Sequence, residues 1–189
     1  TLAAGHEYLA NLIEQGIDPS RAARSIRFSV SITSNYFMEI AKLRAARMLW
    51  ANIVKAYDPE YRCAEKMFIH AVTSAWNQTV YDSYVNMLRG TTEAMSAAIG
   101  GIHSMQVLPF DLPYERPDEM SDRIARNVQL LLKNESHFDN VTDPAGGSYY
   151  IENLTESIAE EAWKLFKEVE AAGGYIKAFE SGMITDRVK

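Results

Sequence analysis

Residues 66–79 read KMFIHAVTSAWNQT, an apolar run that leads through His70 to Thr73, Ser74, Trp76 and Asn77. A histidine titrates near neutral pH and can act as a base or as a ligand-binding donor. Two hydroxyls and an amide just beyond it are the residue types that orient a small polar molecule. Val72 interrupts the set, because a valine neither donates nor accepts a hydrogen bond where a catalytic strand end would carry a polar side chain. The stretch is either an active site or the outline of one without its chemistry. With Phe68 and Ile69 beside it and no carboxylate or thiol next to it in sequence, His70 serves equally well as a hydrogen-bonded structural residue.

The other chemistry-bearing residues are more dispersed. His103 follows Gly101 at the entry of a short strand, and His6 and His137 lie in helical or loop context, so no two histidines have metal-ligand spacing. The glycine pairs at 100–101, 146–147 and 173–174 make neither GxGxxG nor a P-loop and read as helix or loop closures. Glu39, Lys42, Arg44 and Arg47 form a charged stripe, expected to be a solvated face or a subunit contact. Cys63, in the polar stretch YRCAEK, has no partner motif for a catalytic thiol, and Tyr149 and Tyr150 are expected to anchor a loop.

These residues need elements to hold them. Apolar spacing and the closing Gly16 predict a helix from Leu2 to Gln15. Alternation over residues 26–32 predicts a strand, and Ser34 or Asn35 caps a long helix with Ile40, Leu43, Ala46, Trp50, Ile53 and Val54 on one face. MFIHAVTS is a second strand, followed by a helix facing inward through Val85, Leu88, Thr92, Met95 and Ile99. SMQVLPF is a third, short strand that Pro109 is expected to end, and the next helix, starting at Asp118 or Ser121, uses Met120, Ile124, Val128 and Leu131. The loop DPAGGSYY leads to a last helix with Leu154, Ile158, Ala162, Leu165, Phe166 and Val169, closed by Gly173 and Gly174. Three strands, each followed by a helix, imply parallel βα units whose polar loops TSN, TSAWNQT and PFDLPYE gather at the ligand-binding ends of the strands. A closed eight-stranded barrel takes ~250 residues, so 189 residues make a small open sheet or part of a barrel.

Composition narrows the function classes. A hydrophobic content of 47% with 23% charged residues belongs to a folded domain rather than a disordered one. A formal charge of −6 without a Lys/Arg cluster argues against nucleic acid as a partner. No apolar run reaches the length of a membrane span, no signal-peptide pattern is present, and a lone cysteine fits a reducing, cytoplasmic setting. The start at Thr1 inside a helical pattern is expected of a piece of a longer protein.

Several long stretches, in order, resemble one family: SNYFMEIAKLRAARMLWA, TSAWNQTVYDSYVNMLRGTTEAMSAAIGG, RIARNVQLLLKNES, DPAGGSYYIENLTESIAEEAWK and EVEAAGG. They are similar to the substrate-binding domain of methylmalonyl-CoA mutase. The resemblance implies an α/β fold over residues 1–189, the C-terminal half of a TIM-type (β/α)8 barrel with about three parallel strands each followed by helices. It implies an isomerase, an acyl-CoA mutase that interconverts methylmalonyl-CoA and succinyl-CoA with adenosylcobalamin.

The same resemblance bears on single residues. Where catalytic members read HCQTSGW, this chain reads HAVTSAW, so His70 matches a substrate-contacting histidine while Val72 and Ala75 replace a glutamine and a glycine. Where they read GGTQSLHTN it reads GGIHSMQVL, so His103 replaces a glutamine and the HTN segment is lost. Each polar partner lost to a substrate costs about 1–3 kcal/mol, and several such losses leave a vestigial pocket with no catalytic residue. Arg27 aligns with an arginine near the CoA chain, so Arg27 and His70 are the substrate-binding candidates by resemblance. The ending VLPFD is similar to the small, non-catalytic subunit of heterodimeric bacterial mutases, which implies a catalytic large subunit as partner. Adenosylcobalamin is then expected on that large subunit and not on this chain, which lacks the DxHxxG cobalt-ligating signature. A divergent catalytic acyl-CoA mutase is the alternative, and a CoA-binding regulatory module using Arg27 and the loop around Asn77 is a third. A half-barrel with unpaired strand edges is further expected to self-associate or to rearrange a helix.

Overall fold

The computed structural model describes residues 1–188. The chain is α/β, with the helices α1 (Leu2–Glu14), α2 (Pro19–Ser25), α3 (Tyr36–Lys55), α4 (Val85–Ile99), α5 (Glu119–Asn134), α6 (Tyr149–Ala171), α7 (Tyr175–Glu180) and α8 (Met183–Val188). The strands β1 (Arg27–Ile32), β2 (Phe68–Thr73) and β3 (Ser104–Gln106) form one sheet in the order β1-β2-β3. β2 and β3 run parallel, with His70 opposite Ser104 and Val72 opposite Gln106. This is the strand–helix alternation of a partial (β/α) barrel.

The chain divides into two compact units. One comprises Thr1–Phe28, Ala45–Phe68 and the residues from Glu156 on. Its α1 buries Gly5 and Leu9, one turn apart on the same face. The rings of Phe28 and Trp50 meet edge to face at 4.8 Å, and an apolar cluster joins Ala45, Leu49 and Ala159 with Leu2, Ile158, Ala162 and Trp163. The segment after Gly16 forms helix α2. Asp18 caps it by accepting from the Arg21 N–H at 3.0 Å, and Pro19 occupies the first turn, where its missing N–H costs nothing.

The other unit comprises Ser29–Arg44 and Ile69–Thr155 and holds nearly all of the sheet. Its core joins Ala94, Val107, Ala125 and Leu132, with Met95, Met105, Val128 and Phe138 packed around them. Asp118 and Ser121 form a reciprocal capping box that starts α5. Three sequence expectations are corrected here. β3 stops at Gln106, short of the Pro109 expected to end it, because Val107 turns into the core and the Leu108 N–H bonds to the Thr73 hydroxyl at 2.8 Å. Tyr149 and Tyr150 open α6 rather than anchoring a loop; Tyr149 is 90% exposed, and Tyr150 meets Phe37 edge-on at 5.6 Å.

The third correction concerns helix faces. α4 buries Asn86, Gly90, Glu93, Ala94 and Ala97, while Leu88 faces outward. α5 buries Ser121, Ala125 and Leu132, leaving Met120 and Leu131 exposed. Small residues take the line of closest approach and the larger apolar side chains flank it, so each stripe is rotated from the one that bulk alone picks out.

Candidate functional site

Alternation along the strands sorts their residues onto two faces. On β2, Ile69, Ala71 and Thr73 are buried, while Phe68, His70 and Val72 are only partly covered. On β1, Ser29 and Ser31 are exposed, and on β3 so are Ser104 and Gln106. In the sheet-bearing unit, one face is therefore open and mostly polar. His70 lies in the middle of it, its Nδ1 2.8 Å from the Ser104 hydroxyl that the parallel register sets opposite. Val72 stands one step further along, opposite Gln106.

His103 is not on that face. Its backbone N–H donates to the Ile69 carbonyl at 3.0 Å, and its Nδ1 accepts from the Ile69 N–H at 3.3 Å, so the ring completes the edge of the ladder. Arg27 opens β1, with its guanidinium 4.4 Å from the centre of the Phe68 ring and its N–H groups on the Arg24 and Ile26 carbonyls. Of the four candidates, the register brings His70 and Val72 onto one face and removes His103 from it.

The exits of the strands carry a buried polar network that the sequence reading missed. Glu93, 2% exposed, accepts from the Ser74 N–H at 2.9 Å and from the Asn77 amide at 2.7 Å. Burial raises its pKa above the ordinary carboxylate value, with the nearby Glu39 adding to the rise, against the lowering effect of those two hydrogen bonds. Glu39 accepts from Thr33 at 2.6 Å and pairs with Lys42. Asn86 bonds the Thr79 N–H at 3.1 Å and the carbonyls of Thr79 and Phe110 at 2.9 Å each, which ties the β2 exit loop to the β3 exit loop. The signal for these residues was available: Glu93 and Asn86 sit at helical spacing with Gly90, Ala94 and Ala97, where a polar side chain must be either satisfied or functional.

The charged stripe is corrected by the same geometry. Glu39 is 5% exposed, and Arg44 spends its guanidinium on Asp143, Glu152 and Thr155 at 2.8–3.2 Å, pinning the loop before α6. Trp76, by contrast, is 95% exposed at the tip of the β2 exit loop. Among the described residues no group of three or more His, Cys, Asp or Glu is arranged to hold a metal ion. No helix among them is long and apolar enough to cross a membrane.

A family model described as methylmalonyl-CoA mutase matches residues 1–189. The chain is 56% identical over 188 residues, 99% of its length, to the methylmalonyl-CoA mutase small subunit of Porphyromonas gingivalis, of which it covers 30%. It is 43% identical over 188 residues, its whole length, to the small subunit of Streptomyces virginiae, again covering 30% of that protein. To the large subunit of Porphyromonas gingivalis it is 41% identical over 189 residues, covering 26% of it. The chain thus spans about 30% of the length of the small subunits it matches. With a family model matched end to end and relatives at 41–56% identity over its length, the chain belongs to the methylmalonyl-CoA mutase family.

Proposed function

We propose that this chain is part of the small subunit of an adenosylcobalamin-dependent methylmalonyl-CoA mutase and supports a catalytic large subunit instead of turning over substrate itself. The observation that carries the reading is Val72. It lies on the open face one step beyond His70 and in register with Gln106, and its methyl groups offer a polar acyl-CoA no hydrogen bond. His70 keeps a donor–acceptor position on that face, but its Nδ1 is held by Ser104. The greater identity to a small subunit than to the large subunit of the same organism, 56% against 41%, supports the same assignment.

In such an enzyme adenosylcobalamin would supply radical chemistry when bound, while the protein binds, orients and shields. On the open face, among the described residues, His70 meets Ser104 through Nδ1 and stands one step from Val72. In this reading the corrinoid belongs to the large subunit, with this chain held against it in a heterodimer. Arg27 and His70 remain the positions through which residual acyl-CoA affinity would act.

The test is mutase turnover of the full-length polypeptide that carries this sequence, with adenosylcobalamin, alone and with its large subunit. The expected result is no turnover alone and turnover with the partner. Clear activity of the isolated polypeptide defeats the proposal.

A further inference from the structure

The unit that contains α1, the C-terminal part of α3 and most of α6 has a groove of about 430 Å³ that the mutase reading does not use. Small-molecule sites run from roughly 300 to 1,000 Å³, are mainly apolar and carry a few converging polar groups. Four rings line this one. Trp163 and Phe166 stack at 5.0 Å with 18° between their planes, His6 meets Phe166 edge-on at 5.5 Å, and Tyr57 is tilted against His6 at 5.9 Å. Ile53 and Ala56 complete an apolar wall.

The polar groups form a relay. Glu170 Oε1 is 2.9 Å from His6 Nδ1, and His6 Nε2 is 2.8 Å from the Tyr57 hydroxyl. A carboxylate on Nδ1 selects the tautomer that carries its proton there, which leaves Nε2 to accept the Tyr57 O–H. The Tyr57 oxygen then turns its lone pairs outward, as an acceptor. The field at this hydroxyl is negative: burial raises its pKa above the ordinary tyrosine value, and the charges of Glu170 and Glu14 raise it further. Ring faces are themselves the negative side of an aromatic quadrupole.

The geometry points to a binding site for a small organic cation, an alkylammonium seated among His6, Tyr57, Trp163 and Phe166 with Glu170 as its counter-charge. Aromatic cages backed by a carboxylate recognise quaternary ammonium groups through cation–π attraction. The same negative field disfavours phosphates and carboxylates, so the groove is not an extension of an acyl-CoA site. The site is built wholly from one unit and stands or falls independently of the proposed mutase role.

Choline and its neutral isostere 3,3-dimethylbutan-1-ol, titrated against the full-length polypeptide by NMR and calorimetry, separate charge recognition from hydrophobic filling. Choline is expected to bind more tightly than the isostere. Glu170→Gln keeps an acceptor for His6 but removes the charge, and Trp163→Leu keeps apolar bulk but removes the ring face. Each is expected to weaken choline about three- to thirtyfold while leaving the isostere unchanged or little changed. Tyr57→Phe, the mildest change, tests the hydroxyl without touching the packing and is expected to weaken choline by a smaller factor. Equal affinity for choline and the isostere, no saturable choline binding, or Glu170→Gln binding choline as the parent does, overturns the inference.

Discussion

Glu93 shows what a single residue decides in this chain. A carboxylate buried on the inner face of α4 is costly to desolvate, yet its two oxygens hold the backbone of Ser74 and the side chain of Asn77. Removing it in Glu93→Ala strands both donors, and each unsatisfied buried donor costs about 1–3 kcal/mol, so a fall in the urea midpoint is expected. The pH dependence carries a sign. Because burial raises the folded-state pKa, the folded protein favours the neutral carboxyl, and ionisation above that pKa works against folding. Relief therefore comes as pH falls through the raised value toward the ordinary 4.5, below which the folded and unfolded states are both protonated. The stability gap between the parent and Glu93→Gln is expected to widen in the parent's favour between neutral pH and pH 5, measured by urea denaturation. A gap that does not move with pH contradicts this.

At the scale of elements, α1 is held at a distance set by one glycine. A β-carbon built on Gly5 lies 2.6 Å from two atoms of the Phe28 ring and 3.2 Å from Trp50, and both rings are buried and locked edge to face. Alanine is intrinsically the better helix former by about 1 kcal/mol, which works in the opposite direction. Overpacking a rigid ring pair costs about 1–3 kcal/mol, so the clash prevails and Gly5→Ala is expected to lower the melting temperature; an unchanged or higher value refutes the packing account. The rotated stripes of α4 and α5 have the same origin. Leucine and methionine mark a helix as amphipathic, but the closest contact belongs to Gly90, Ala94 and Ala125, and their side chains are too small to announce it.

At the scale of the whole chain, the three-stranded sheet ends in β1 on one side and β3 on the other, and one of its faces is open. Unpaired strand edges and uncovered side chains are templates for association. The 189-residue chain is expected to sediment as a dimer or larger species, and Gln106→Lys, which sets a charge on the β3 edge, to shift it toward monomer. A single monomeric species at all concentrations contradicts this.

Much of this was legible from one dimension. Alternation over residues 26–32, helical periodicity with glycine closures at Gly16, Gly173 and Gly174, and long family-like stretches determined the βα order and the family, because these depend on local spacing and on residue identity. The valine at position 72 was conspicuous for the same reason. Other features depended on distances between residues far apart in the chain. Register alone put His70 beside Ser104 and turned His103 into a backbone partner of Ile69. Close packing alone chose the small-residue faces of α4 and α5. The meeting of His6, Tyr57 and Glu170, separated by 51 and 164 residues, has no periodicity to betray it, since only the folded chain brings those three side chains within hydrogen-bond reach.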